Sequence, residues 1–138
     1  VLVAASVFSQ DWLNIPLISV YLGTVMWVTG YDTIYAIQDR DDDRRAGIKS
    51  SALSLGRHIR TGVLIFYIAA VLFWFYGFFT MLGIGLWLIG LVGASAHLVW
   101  QISQMNVLSA TIARRLFVSN RSTGLILTAG LLISHLGV

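Results

Sequence analysis

All six acidic residues of this chain are aspartates, and five of them, Asp32, Asp39, Asp41, Asp42 and Asp43, fall within twelve positions. Ionised carboxylates only accept hydrogen bonds, and they are the side chains that hold hard cations. A helix turns about 100° per residue, so a continuous helix sets Asp39 about 20° to one side of Asp32 and Asp43 about 20° to the other. The three then form one stripe, with Asp39 and Asp43 one turn apart, while Asp41 points roughly opposite and Asp42 well off it. Like charges so close repel, by tenths of a kcal/mol on an exposed helix and by more where water is scarce. Two readings answer that repulsion. In one, Arg40, Arg44 and Arg45 neutralise the run in a solvated loop. In the other, a divalent cation sits between Asp39 and Asp43. Oxygen ligands with no His or Cys nearby suit Mg²⁺, which takes one or two protein carboxylates and completes its shell with water and phosphate oxygens. Two soluble metal patterns are excluded. An EF-hand loop starting at Asp39 needs Gly and Glu where Arg44 and Ser50 stand. The Asp-Asp-x-x-Asp pattern of soluble prenyl synthases needs an acid where Arg45 stands.

The elements that must carry these acids are apolar. Of 138 residues, 57% are hydrophobic and 11% charged, against roughly 25% charged in a soluble domain. A mean hydropathy of +0.82 leaves too little polar surface to clothe a globule in water. The composition argues against a soluble enzyme, a disordered tail and a nucleic-acid-binding domain. Cysteine is absent, which removes disulfides, thiolate metal sites and a cysteine nucleophile. No residue between Asp11 and Asp32 is charged, none among the 53 between Arg60 and Arg114, and none after Arg121. A spanning helix needs about 20 apolar residues. The intervals predict spans at about 12–37, 61–76, 86–104 and 116–136, with a turn from Gly77 through Gly85 and the opening ten residues as the end of a further span. The fold class expected is all-α, a polytopic transmembrane bundle of about four full spans plus a partial N-terminal one.

Basic residues orient the bundle. Arg40, Arg44, Arg45, Lys49, Arg57 and Arg60 fall in one connection, and Arg114, Arg115 and Arg121 in another two spans later. The positive-inside rule places 38–60 and 105–116 in the cytoplasm and 77–85 outside. Gly90, Gly93, Ala94 and Ala96, then Gly124, Ala129 and Gly130, read as surfaces where helices approach closely. His97 reads as a hydrogen-bonded core histidine.

Residues 31–56 run Tyr-Asp-Thr-Ile-Tyr-Ala-Ile-Gln-Asp-Arg-Asp-Asp-Asp, then Arg-Arg-Ala-Gly-Ile-Lys-Ser-Ser-Ala-Leu-Ser-Leu-Gly. This resembles the second aspartate-rich motif of the UbiA family of intramembrane prenyltransferases, in the form Y-D-T-x-Y-A-x-x-D-R-x-D-D-x-x-x-G-x-K-S-x-A of its 4-hydroxybenzoate polyprenyltransferase branch. Leu116–Gly124, with Asn120, is similar to the Asn-bearing start of the family's final helix. The resemblance implies that residues 1–138 form the C-terminal half of a single domain of about nine helices, with an Asp-rich cytoplasmic loop at about 38–60. The family's first motif, Asn-Asp-x-x-Asp, has no counterpart here, which implies a missing N-terminal half and an isolated chain that is inactive.

The implied reaction is transfer of a polyprenyl group from polyprenyl diphosphate to the ring of an aromatic acid, 4-hydroxybenzoate, in ubiquinone biosynthesis. The implied cofactor is Mg²⁺ on Asp39 and Asp43. The resemblance gives Asp32 the role of supporting that metal or positioning the acceptor, Lys49 and Arg45 contact with phosphate oxygens, and Tyr35 and Tyr31 contact with the aromatic substrate. Topology and interfacial anchoring are the alternatives for those basic and tyrosine residues. Gly47 is expected to allow a turn, and Asp41 and Asp42 to solvate the loop. Membrane lipid is an expected partner and nucleic acid is not. The expected location is a bacterial or mitochondrial inner membrane, with the loop on the cytoplasmic or matrix side. The competing readings are an ion-coupled transporter, with the acids lining its path, and an inactive structural fragment.

Overall fold

The computed structural model describes residues 14–106 and 108–136, and every element among them is helical. Helix α1 spans Ile15–Tyr35. Its start is set locally: the Asn14 side chain accepts the Leu17 N–H at 3.2 Å, and Pro16 occupies the first turn, where a missing N–H costs nothing. Helix α2 spans Arg40–Ala46 and stops at Gly47, whose φ of +70° is the left-handed cap that glycine adopts without strain. Helix α3, Ser51–Leu55, is capped by Ser50 and runs through a single 3₁₀ turn, Gly56–His58, into α4, Ile59–Leu82. Helices α5, Trp87–Gln104, and α6, Ala110–Leu136, complete the described chain.

Helix α1 lies along α4, α5 lies along α6, and α1 also meets α6, so the four long helices form one bundle. Ile34, Val63, Tyr67, Ala70 and Trp74 fill the α1–α4 side of the core, and Trp87, Leu91, Leu98 and Leu116 the α5–α6 side. The outer surface is also apolar: Leu64, Ile65, Ile68 and Leu72 of α4 and Leu125, Leu132 and Ile133 of α6 are exposed. The run Ser51–Leu82 and helix α6 are long and apolar enough to cross a membrane. Helices α1 and α5 stand where the other two spans are expected, and the opening ten residues lie outside the described ones.

Three boundaries differ from expectation. The turn predicted from Gly77 is not there. Gly77 sits inside α4, where a Cβ would come 2.5 Å from the Val20 side chain and 2.8 Å from the Pro16 carbonyl oxygen. Its lack of a side chain serves helix contact, and the chain reverses instead after Gly83, at φ +67°. Helix α6 begins at Ala110, six residues before Leu116, because the Ser109 hydroxyl accepts the Ile112 N–H at 3.3 Å and closes the first turn. Most consequential is the break after Tyr35. The Ile37 and Gln38 N–H groups bond three residues back, to Ile34 and Tyr35, which tightens the turn and ends α1. The aspartate stripe on one unbroken helix therefore does not form. Asp39 instead takes the N-cap position of α2, with Asp41, Asp42 and Asp43 in its first turn and Arg44 and Arg45 in its last. That arrangement sets acids at the positive end of the helix and bases at the negative end.

Candidate active site

Helix α1 brings Trp27, Tyr31 and Tyr35 onto one face at four-residue spacing. This face meets α6. The Tyr31 and Phe117 rings are 5.6 Å apart edge to face, and Tyr35 lies 4.8 Å from Phe117. Trp27 contacts Tyr31 at 5.3 Å and, on its other side, Trp74 of α4 at 5.6 Å. A hydrogen bond fixes the cluster: the Trp27 indole N–H donates to Asn120 Oδ1 at 2.9 Å. The Asn120 amide in turn donates to the Leu116 and Phe117 carbonyls, so the buried Asn120 uses both ends of its side chain. Between α1 and α6, Trp27, Tyr31, Phe117 and Asn120 line a groove of about 530 Å³ with Arg121, Gly124 and Thr128. Arg121 is the charged group in that lining.

A second polar layer lies beneath. The Tyr67 hydroxyl donates to Gln101 Oε1 at 2.6 Å, and Gln101 Nε2 donates to the Ser119 hydroxyl at 2.9 Å. Gln101 is fully buried, and this chain of bonds ties α4, α5 and α6 together. His97 is hydrogen-bonded as expected, 2.8 Å from the Thr123 hydroxyl, but it is half-buried and not a core residue.

The acidic turn follows the aromatic face. Asp32, next to Tyr31, is exposed near the end of α1. Asp39 and Asp43 stand one turn apart on α2, where the Asp43 N–H donates to the Asp39 carbonyl at 2.7 Å. Asp41 lies 3.9 Å from Arg40, and Asp42 lies 3.7 Å from Arg45. Among the described residues, Asp39 and Asp43 take part in no such ion pair. The same residues hold no group of three His, Cys, Asp or Glu side chains converging as a metal cage. Two carboxylates one turn apart still meet what Mg²⁺ asks of a protein when phosphate oxygens supply the rest. Arg45 and Lys49 are exposed, Arg45 against Asp42 and Lys49 in the connection from α2 to α3. The structure thus brings Tyr31 and Tyr35 together through Phe117, and it separates Asp32 from Asp39 by a turn of the chain. Trp27, Phe117 and Arg121 join the groove without having been singled out for it. Their signal in the sequence was weak, because nothing local pairs Trp27 with a residue 93 positions away.

The sequence model of the UbiA prenyltransferase family matches residues 1–133. The chain is 37% identical over 113 residues to a 4-hydroxybenzoate octaprenyltransferase of Methylibium petroleiphilum, covering 81% of this chain and 36% of that protein. It is 37% identical over 117 residues to 4-hydroxybenzoate geranyltransferase 2 of Lithospermum erythrorhizon, covering 84% of this chain and 38% of the relative. It is 36% identical over 120 residues to the mitochondrial 4-hydroxybenzoate polyprenyltransferase of Arabidopsis thaliana, covering 83% and 28%. The chain therefore spans well under half the length of these curated relatives. No solved structure matches it.

Proposed function

The chain belongs to the UbiA prenyltransferase family, and on that footing we propose that it carries the diphosphate-binding acids and one wall of the acceptor groove of a membrane enzyme. That enzyme transfers a polyprenyl group to an aromatic acid, and 4-hydroxybenzoate is the acceptor that the relatives' names support. In this reading the chain is the second half of a nine-helix bundle, its four long helices span the membrane, and its Asp-rich turn faces the cytoplasm or matrix. The observation that carries the reading is the tethered aromatic groove on α1 and α6, set beside a turn whose Asp39 and Asp43 are left without ion pairs among the described residues.

In the reaction, the allylic C–O bond of the polyprenyl diphosphate breaks and diphosphate leaves. The ring carbon ortho to the phenol oxygen then bonds to the allylic carbon, and the ring loses a proton. Asp39 and Asp43 would hold Mg²⁺, which when bound offsets the charge of the leaving diphosphate. Asp32, exposed and next to Tyr31 in the chain, supports the same charge or orients the acceptor in this reading. Tyr31, Tyr35, Trp27 and Phe117 present π faces and edges to a developing allylic cation, an attraction that grows as water is excluded. Arg121 supplies the cation that the acceptor's carboxylate needs within an apolar wall. Lys49, from the connection after α2, and Arg45, from its last turn, reach phosphate oxygens.

The test is turnover of the enzyme carrying this chain, reconstituted in lipid and read as prenylated 4-hydroxybenzoate. Asp39→Asn and Asp43→Asn are expected to lower turnover by orders of magnitude, with partial rescue of Asp39→Asn at high Mg²⁺. Asp41→Asn and Asp42→Asn are expected to lose far less, because each of these acids already lies against an arginine. Equal loss at all four positions would reduce the turn to a diffuse charge and overturn the assignment.

A further inference from the structure

Three arginines outside the proposed active site converge on a second cavity. Arg40 and Arg44 lie one turn apart on α2, and Arg57 comes from the 3₁₀ turn before α4. They line a pocket of about 380 Å³ together with Ala52 and Leu53 of α3, Gly56, and Leu108 from the α5–α6 connection. The backbone makes this convergence. Gly56 adopts a φ of +52°, a conformation that side-chain-bearing residues rarely take, and the chain swings there so that Arg57 faces the same cavity as α2. Two guanidinium groups four residues apart on one helix repel each other, and a third from another element adds to the repulsion. Among the described residues Arg44 and Arg57 take part in no ion pair: Asp41 lies 3.9 Å from the Arg40 Nε, and Asp42 is engaged by Arg45, which is outside the pocket. The Arg57 Nε donates to the His58 imidazole, a neutral partner.

We propose that this pocket binds a phosphate group, and that a membrane lipid supplies it. Guanidinium forks match phosphate oxygens in pairs, which gives the pocket both charge and shape for a phosphodiester. Its depth in the membrane favours the lipid. Leu64, Ile65 and Ile68, exposed on α4, begin within two turns of Arg57, so the pocket lies just outside the apolar band at the height of lipid phosphates. Leu53 and Leu108 give it an apolar wall for the first carbons of the lipid, and Leu108 is 81% exposed. Basic pockets at the cytoplasmic ends of membrane helices are general sites for anionic headgroups. The site makes no use of Asp39, Asp43 or the groove, so it stands apart from the transferase reading. An anionic lipid seated here would pin α2 against α3 and the α5–α6 connection, and so steady the acidic turn.

The test uses the full protein carrying this chain in detergent, with cysteine introduced at Leu108 as the reporter of pocket occupancy. The added probes are dioctanoyl phosphatidylglycerol, dioctanoyl phosphatidylcholine and inorganic phosphate. The anionic lipid is expected to slow maleimide labelling of Leu108→Cys at least fivefold, and the zwitterionic lipid less than twofold. The further changes Arg44→Gln and Arg57→Gln should abolish the protection while leaving the lipid-free labelling rate unchanged. Arg60→Gln with Arg114→Gln, which remove as much charge outside the pocket, should leave it intact. Protection by inorganic phosphate equal to that by the anionic lipid would keep the phosphate site and overturn its lipid source. No protection by either phosphate-bearing probe, or equal loss in both arginine pairs, would overturn the site.

Discussion

Gly90 and Gly130 meet where α5 and α6 cross, and a single methyl group placed there has a calculable effect. A Cβ at Gly130 would lie 2.5 Å from the Gly90 Cα and 2.8 Å from its nitrogen. Ordinary contact begins at 3.4 Å, so Gly130→Ala requires the two backbones to separate by about 0.9 Å. The obstacle is backbone on both helices and has no rotamer to change. The His97–Thr123 bond spans the same interface at 2.8 Å, and an equal displacement stretches it to about 3.7 Å, beyond hydrogen-bonding range. Overpacking costs about 1–3 kcal/mol and the lost bond about 1, while alanine regains about 1 in helix propensity. The expected net loss is about 1–3 kcal/mol, measured by tryptophan fluorescence during SDS unfolding in mixed micelles. Gly62→Ala is the control, since its Cβ meets only the flexible end of Leu55, and it should stay within about 0.5 kcal/mol of the parent. Gly90→Ala alone needs a separation of about 0.7 Å, because its Cβ would lie 2.7 Å from the Gly130 Cα. One displacement accommodates both methyls, so the double variant should cost no more than Gly130→Ala. A Gly130→Ala protein as stable as the Gly62→Ala control, or strictly additive losses, would refute the close-approach argument.

Asn120→Leu leaves the Trp27 indole N–H without its acceptor, and should cost about 1–3 kcal/mol of stability and blue-shift or broaden the tryptophan emission. Trp27→Phe, which removes the donor along with the need, should cost less than Asn120→Leu; the reverse order in the same unfolding assay would deny the tether. Cysteines introduced at Ala46 and at Ile84, in the α2 region and the α4–α5 turn, should label from opposite sides of sealed vesicles, and labelling from one side would undo the proposed orientation.

The chain's helical, apolar character was legible without a structure, because both rest on local quantities. Uninterrupted apolar runs between charges located α1, α5 and the body of α4 and α6, and Gly47 marked the end of α2 as a glycine cap does. The aspartate motif was likewise readable, since its residues are neighbours in the chain. What the sequence could not give was any decision settled by packing. Gly77 carries the same local signal as a turn-forming glycine, and only the approach of Val20 and Pro16 shows that it serves as a contact surface inside α4. The helix break after Tyr35 lies in a stretch whose acids also fit an unbroken helix, and the i to i−3 bonds at Ile37 and Gln38 decide between them. That break changes the reason for setting Asp41 apart, from a helical phase to an arginine lying against it. Trp27 with Asn120, Tyr67 with Gln101, and Arg57 with Arg40 and Arg44 are pairings between distant segments. Periodicity fixes which face of a helix a residue occupies; only the packed bundle determines what stands opposite.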